Sequence, residues 1–409
     1  MEKINKILNS LIAAITFLLS FILYFSTMAP TTSFWDCGEF IATSATMGVP
    51  HPPGTPLYLL LGNVFSQIPI FADIGARVNL ISVIVSAFAV MFVYLISVQI
   101  IEEWRGYTKS TTDKIINYGS SFIGAMTFSV TDSHWFNAFE ADVYSLSTLF
   151  TAIVVWLILK WSKEHNKPGN YRYLLIIAYI IGLATALHLL NLLALPFIAL
   201  IIYFKKYESR EFTSLVIGTM VALIYSAIAL VVIYIGIIKG VPNLIDQLYK
   251  IPYFGMQFDS PLNILTKLLL PLSTVLFLLI GFVLLLTKKK NSQLLKISIA
   301  SLLMVYIGFS TYSIIFIRAS QEPRINENSP NTLKEFISYM NRDQYGQWSI
   351  LDRASSIGRD EMQYWNRYTH NKKEEAYTDK NNNGNGSMEK NIQIAIIMVN
   401  GTPDLREVR

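Results

Sequence analysis

Residues 78–101 read VNLISVIVSAFAVMFVYLISVQII, a run of 24 residues without a charged side chain. About 20 apolar residues in a helix cross the roughly 30 Å hydrocarbon core of a bilayer, so this run predicts a transmembrane helix. The rest of the chain agrees, because its 409 residues are 52% hydrophobic and 15% charged, with a mean hydropathy of +0.41. That composition excludes an ordinary soluble protein.

Eight further apolar runs predict an all-α integral membrane protein with about nine transmembrane helices. The predicted spans are residues 7–27, 78–101, 115–130, 143–161, 173–187, 189–204, 215–238, 264–287 and 294–317. The run from Tyr173 to Phe204 is divided in two, because Gly182, His188 and Pro196 interrupt it. A cleaved signal peptide is the alternative for the first span, but that span is long and no A-x-A site follows it.

The basic residues predict the orientation of these spans. The net charge of +5 does not indicate nucleic-acid binding, because lysine and arginine stand in short tracts between the apolar runs. With nine spans these tracts all fall on one side, which the positive-inside rule makes cytoplasmic. We therefore expect a cytoplasmic N-terminus, an extracytoplasmic C-terminus and, in a bacterium, the inner membrane. The first loop (28–77), the turn 132–142, His188, the loop 239–263 and all residues after Arg318 should lie outside.

The composition changes after the last span and predicts a boundary there. Residues 1–317 form the predicted transmembrane domain, and residues 318–409 form a small extracytoplasmic segment of mixed α/β character. In that segment a helix is expected from Ser329-Pro330 to Met340, a flexible linker at 381–386 and a buried strand at 392–399. Residues 56–70 are apolar but short, which favours a re-entrant or interfacial segment.

Asp36 and Glu39 are the predicted catalytic residues. They stand three positions apart in Trp35-Asp36-Cys37-Gly38-Glu39-Phe40, so on a helix they share one face. Carboxylates against aromatic surface are partly desolvated, a setting in which a carboxylate serves as a general base. The alternative is a pair of solvated loop charges. The next stretch, 48–56, holds four prolines, and its stiff path would position His51.

Further polar residues on the predicted outer side are candidates for substrate binding, because ionisable groups near a membrane are costly. They are His51, His134, Glu140, Asp142, His188 and Arg318. Arginine can clamp a phosphate with its planar fork, although an interfacial anchor explains Arg318 equally well. No spacing matches a metal-ligand motif, so no metal site is assigned, and a divalent cation held by His, Asp or Glu stays open.

Cysteine and nucleotide motifs narrow the functional classes. Cys37 is the single cysteine, which excludes an intramolecular disulfide, and beside Asp36 we expect it to react with a membrane-impermeant maleimide. The chain has no phosphate-binding glycine loop, no G-x-S-x-G and no H-E-x-x-H. A substrate drawn from the membrane is therefore favoured over a soluble nucleotide.

Four segments together resemble a known family. They are residues 28–40, the stretch His51-Pro52-Pro53-Gly54-Thr55-Pro56-Leu57-Tyr58, the stretch Phe139-Glu140-Ala141-Asp142-Val143-Tyr144-Ser145-Leu146, and Arg324-Ile325-Asn326-Glu327-Asn328 with residues 341–346. In content and order they are similar to glycosyltransferase family 117 of the GT-C class of membrane glycosyltransferases, which includes a vertebrate O-mannosyltransferase. Family members commonly carry a longer soluble C-terminal part.

The resemblance implies a GT-C-like helical bundle that transfers a sugar, mannose or a similar hexose, from a polyprenyl or dolichyl phosphate. It places the reaction on the non-cytoplasmic face, with Asp36 as base and Glu39 as second acid. The acceptor would be a hydroxyl, Ser or Thr of an exported protein. A lipid-linked glycan polymerase or ligase is the enzyme alternative. A transporter or flippase is the alternative from another class, disfavoured because the charges collect in outer loops and no repeat is visible.

Overall fold

The computed structural model describes residues 2–106, 110–207, 211–239 and 293–345. The chain separates into two compact units, Met1–Gln344 and Tyr345–Arg409, and nearly all described residues belong to the first. The predicted strand at 392–399, the linker at 381–386 and the predicted span at 264–287 lie outside the described residues.

The described residues are helical, and their only β-structure is an isolated parallel bridge between Val49 and Asn326. The longer helices are α1 (Glu2–Thr27), α4 (Ile74–Arg105), α8 (Val143–Glu164), α9 (Tyr171–Thr185), α10 (Ala194–Lys206), α11 (Phe212–Val231) and α12 (Gln293–Phe309). The shorter ones are α2 (Cys37–Thr46), α3 (Pro56–Gln67), α5 (Thr111–Lys114), α6 (Ser120–Ser129), α7 (Asp132–Ala138), α13 (Ser313–Ala319) and α14 (Leu333–Asn341). Single turns of 3₁₀ or π geometry link several of them.

Six helices are long and apolar enough to cross a membrane, so the prediction of an all-α integral membrane protein is confirmed. They are Ile4–Thr27, Ile74–Arg105, Val143–Glu164, Leu189–Lys206, Phe212–Ile238 and Lys296–Ala319. The count of nine is not reached among the described residues. α9 is apolar but has only 15 residues, and the predicted span 115–130 falls in the helical segment of α5 and α6, which is not among the six.

α4 lies at the centre of the bundle and packs against α1, α3, α6 and α8. Small side chains permit this close packing, since Ala87 and Ala89 are fully buried. Polar side chains in the same helix are satisfied across the interface, as where the Ser86 hydroxyl lies 3.0 Å from that of Ser145 on α8. The hydrogen bond links two helices in surroundings without water.

α9 and α12 approach each other backbone to backbone through two glycines. A Cβ on Gly308 would lie 2.5 Å from the Tyr179 carbonyl oxygen, and one on Gly182 would clash with the Val305 carbonyl. The interruption that Gly182 makes in the apolar run therefore serves helix packing.

Ion pairs mark one end of the bundle. Lys163 at the end of α8 pairs with Glu102 at 2.7 Å, and Lys205 at the end of α10 pairs with Glu103 at 3.3 Å. Residues of two basic tracts, which the sequence predicts on one side of the membrane, thus meet at the C-terminal end of α4. The candidate site residues lie at the other end, and which end faces the cytoplasm stays a prediction.

The helix expected after the last span begins later than predicted. α14 starts at Leu333, because Thr332 and Glu335 form a reciprocal capping box in which each side chain bonds the other's backbone N–H. Arg318–Gln344 belong to the same compact unit as the transmembrane helices. The link to the first loop is direct, because the Val49 N–H donates to the Ile325 carbonyl at 2.8 Å and the Glu327 N–H to the Val49 carbonyl at 3.1 Å.

Candidate functional site

Asn79, fully buried on α4, holds the start of the first loop against the turn before α8. Its amide nitrogen donates to the carbonyls of Ala29 and Thr31, both at 2.8 Å. Its amide oxygen accepts from the Ala141 N–H at 2.9 Å and lies 3.8 Å from the Cys37 thiol. One side chain in an apolar helix therefore fixes the two segments that carry most of the acidic candidates.

Asp36 stands at the exposed corner where this loop enters α2. Trp35 before it adopts a left-handed conformation at φ 55° with its ring 87% exposed. Asp36 occupies the N-cap position of α2, yet its carboxylate makes no capping hydrogen bond. The carboxylate is thus exposed and does not hold the helix, so the partial desolvation expected from the aromatic neighbours is not found at Asp36.

Glu39, in the first turn of α2, forms a close pair with His51. One carboxylate oxygen accepts from the His51 backbone N–H at 2.6 Å, and the other lies 2.7 Å from His51 Nδ1. Burial acts to raise the pKa of Glu39, but the two hydrogen bonds and the His51 charge together lower it. For His51 the hydrogen bond to Glu39 raises the pKa against the opposing effect of burial. The pair therefore favours a carboxylate next to an imidazolium.

The three side chains of Asp36, Glu39 and His51 form one cluster. One ligand atom from each lies within 4.8 Å of the others, with Asp36 exposed and the other two half-buried. Such a set can hold a divalent cation, and it can equally pair a base with a positively charged donor. Both Glu39 oxygens already accept hydrogen bonds from His51, so a cation would have to replace the Nδ1 contact.

The turn before α8 carries three more predicted site residues, of which His134 and Glu140 are buried and Asp142 is half-buried. His134 is 5% exposed, its ring 4.3 Å from that of Phe128, and burial lowers its pKa to about 4. Glu140 is 2% exposed, and its buried Oε2 has no hydrogen-bond partner among the residues that the structure describes. Asp142 caps α8 by accepting from the N–H groups of Val143 and Tyr144, and burial raises its pKa to about 6. His134 is therefore neutral at neutral pH and cannot supply a positive charge.

His188 and Arg318 differ in how much of their hydrogen-bonding capacity is used within the protein. His188 is half-buried, its Nδ1 accepts from the Leu190 N–H, and its ring lies 5.2 Å from the Tyr144 ring. The guanidinium of Arg318 instead donates to the carbonyls of Met47 and Thr46 and to Gln321 Oε1. It secures the C-terminal end of α2, so its donors are largely directed at protein.

Cys37 is enclosed, which changes the expected labelling. Its side chain is 3% exposed, and burial raises the pKa of the thiol. Maleimides react with accessible thiolates, so the prediction that Cys37 labels readily is wrong for the folded protein. The cysteine follows Asp36 in sequence but faces Asn79.

Two important residues were not singled out from the sequence. The sequence does carry a signal for Asn79, because an amide side chain within an apolar run is costly to bury and needs hydrogen-bond partners. Arg342 stands in a stretch noted only as a whole, and its charge acts on both His51 and His188. Its proximity to them depends on how α14 packs, which sequence spacing does not reveal.

An open cavity of about 370 Å³ lies beside Tyr144. α8 contributes Tyr144, Ser147, Thr148, Thr151 and Ala152, α4 contributes Val93 and Ile96, and Leu190 completes the lining. Tyr144 also contacts His188, so the cavity adjoins the charged end of the bundle.

Comparison with known proteins gives a match over part of the chain. Residues 36–211 match the family described as Protein O-mannosyl-transferase TMEM260 N-terminal domain. A Dictyostelium discoideum protein named Protein O-mannosyl-transferase tmem260 is 27% identical over 212 residues, covering 48% of this chain and 24% of that protein. The Mus musculus protein of the corresponding name is 26% identical over 179 residues, covering 44% of this chain and 23% of its own length. No solved structure matches.

These matches confirm the resemblance to a membrane O-mannosyltransferase that the sequence predicted. The matched region starts at Asp36 and includes Glu39, His51, the buried turn and His188. The chain spans about a quarter of the length of each relative.

Proposed function

We propose that this protein is a glycosyltransferase that moves a sugar, mannose or a similar hexose, from a polyprenyl-phosphate donor to a hydroxyl acceptor on the non-cytoplasmic face. The observation that carries the proposal is the exposed Asp36 carboxylate beside the Glu39–His51 pair, at the start of the matched region. The relatives are named protein O-mannosyl-transferases, which supports Ser or Thr of an exported protein as the acceptor.

The reaction is a single inverting displacement. Asp36 accepts the proton of the acceptor hydroxyl while its oxygen forms a bond to the anomeric carbon. The bond between that carbon and the phosphate oxygen breaks, and the lipid phosphate leaves with the electron pair. His51, held positively charged by Glu39, donates to the phosphate as negative charge develops on it. Glu39 thus acts through His51 as a positioning residue.

The buried residues have supporting roles in this scheme. Asp142 and Asn79 fix the start of α8 and the first loop, and Glu140 is buried in the same turn. His134 and Arg318 contact protein rather than substrate. The cavity beside Tyr144 receives the hydrocarbon chain of the donor, and α3 (Pro56–Gln67) flanks the same end of the bundle.

Transfer of radiolabelled mannose from a polyprenyl phosphate to a Ser/Thr-rich peptide tests this proposal with purified full-length protein. Wild type should transfer sugar, and Asp36→Asn should lose about 10²- to 10⁴-fold in turnover, the usual contribution of a general base. Asp132→Asn is the matched control, because it removes an exposed carboxylate outside the cluster. Equal turnover by wild type and Asp36→Asn would remove Asp36 as the base. Transfer to a lipid-linked glycan in place of the peptide would identify a polymerase or ligase.

A further inference from the structure

α14 rests with its C-terminal end on the loop that carries His51. The Tyr339 hydroxyl, on a side chain 1% exposed, donates to the Pro50 carbonyl at 2.5 Å and lies 3.4 Å from the His51 carbonyl. Gly54 has φ +77°, and a Cβ there would lie 2.6 Å from the same hydroxyl. The loop and the helix thus fit each other closely, and the residues that end α14 lie beside His51.

Arg342 follows the last turn of α14 in an unusual conformation. It adopts φ 61° and ψ 35°, and its N–H bonds back to the carbonyls of Ser338 and Tyr339. Helices commonly end on glycine at such a left-handed position, because any Cβ is strained there. An arginine here is held in a costly backbone conformation at an exposed point next to the candidate site.

The Arg342 charge acts on two histidines that come from other elements. His51 comes from the first loop, and His188 from the tip between α9 and α10 with Tyr144 against its ring. Burial and then the Arg342 charge lower the pKa of His188, and the Arg342 charge also acts on His51. The acids nearby are Glu39, paired with His51, and Asp36, whose charge also acts on His51.

We propose that Arg342, together with His51 and His188, forms the subsite that binds the phosphate of the lipid donor. The inference rests on the proposed function and names the residue that recognises its donor. A planar guanidinium can bond two phosphate oxygens at once, and two imidazoles beside it supply further donors. The donor's hydrocarbon chain would then descend past Tyr144 into the cavity between α4 and α8.

Arg318 is another arginine at this end of the bundle, and its side chain holds α2 in place. Its guanidinium already donates to Met47, Thr46 and Gln321. Substitution there would loosen α2 and with it Asp36 and Glu39. A glycine in place of Arg342 instead removes the guanidinium and relieves the left-handed backbone conformation at that position.

The test compares binding of a polyprenyl monophosphate with that of the polyprenol of equal chain length, using full-length protein in nanodiscs. Arg342→Gly is the main variant, because glycine removes the guanidinium and adopts the left-handed backbone without strain, and its unfolding temperature is measured beside binding. Arg342→Lys keeps the charge without the fork. Lys334→Ala, which removes an exposed positive charge from the same helix, is the matched control.

Wild type and Lys334→Ala should bind the phosphate at least tenfold more tightly than the alcohol, Arg342→Lys should retain part of that preference, and Arg342→Gly should lose it. An undiminished preference in Arg342→Gly, or no preference in wild type, would overturn the subsite. The transfer assay separates the two proposals. If Arg342→Gly loses the preference while Asp36→Asn transfers sugar like wild type, the subsite stands and the proposed base fails.

Discussion

Two acidic segments lie at the same end of this protein, and their surroundings make them different. In the first loop, the Asp36 carboxylate is exposed, and Glu39 is paired with His51, which lowers the pKa of Glu39. In the turn before α8, Glu140 is buried and Asp142 is half-buried, and burial raises the pKa of Asp142 to about 6. Carboxylates of the same type thus differ in exposure and in partners between the two segments, and this difference underlies the roles that we propose for them.

Removing the link between the two segments should have the largest effect. Asn79→Ala leaves two carbonyls and the Ala141 N–H without their buried partner, at about 1–3 kcal/mol for each unsatisfied group. We expect the free energy of unfolding to fall by at least about 3 kcal/mol, measured by denaturation in detergent. Asn137→Ala, which loses one bond to Ser133 within α7, should cost less than about 1 kcal/mol. Similar losses for the two variants would contradict this role.

Weakening the half-buried pair of Glu39 and His51 should affect activity rather than stability. Glu39→Gln keeps an acceptor for the His51 N–H but removes the charge that raises the pKa of His51. We expect transfer to fall about 100-fold, or about 2.7 kcal/mol in transition-state stabilisation, with little change in unfolding temperature. Steady-state kinetics at saturating donor measure the loss. A decrease below threefold would mean that Glu39 does not position His51.

Replacing Asp142 by a neutral residue should change the free energy of unfolding, and the change should depend on pH. The pKa of Asp142 is about 6 in the folded protein against 3.8 for the free side chain, so the folded state holds its proton more tightly. Stability from this group is therefore present below about pH 4 and is lost as pH rises towards 6. Asp142→Asn keeps a side-chain oxygen that accepts from the N–H groups at the start of α8. Because asparagine does not ionise, the variant does not lose this stability as pH rises.

The stability gain of Asp142→Asn should thus be near zero at pH 4 and reach about 1–3 kcal/mol at pH 7. Unfolding curves of wild type and variant across this range measure the difference. Asp132→Asn, at an exposed position, should show no such trend. A stability gain of Asp142→Asn that grows as pH falls would contradict a raised pKa of Asp142 in the folded protein.

The smallest effect on the protein is expected from a labelling experiment that tests which end of the bundle faces the extracytoplasmic side. In a Cys37→Ser background, Phe34→Cys places a thiol at a position 76% exposed beside Asp36, and Trp104→Cys places one at 84% exposure near the opposite end. An impermeant maleimide should label residue 34 in intact cells and residue 104 only after lysis. Wild-type Cys37 should remain almost unlabelled. The reverse order for the two introduced thiols would reverse the predicted sidedness.

Much of the fold could be predicted from local sequence, and the errors have physical causes. Long apolar runs marked the six spanning helices, because length and hydropathy alone decide whether a helix fits a bilayer. The start of α14 was misplaced because Ser329-Pro330 looked like a helix start, whereas the capping box at Thr332 sets it. Cys37 was expected to be accessible because its neighbour Asp36 is exposed, yet successive positions of a helix face different ways.

Composition and hydropathy identify a membrane protein whose acidic and histidine residues gather between its spans, since both are sums over neighbouring residues. Which of those groups are exposed, paired or buried follows from contacts between distant parts of the chain. Tyr339 meets Pro50 across 289 positions, and Asn79 meets Ala141 across 62. Burial and pairing depend on such distant contacts, and these set the charge that each group carries.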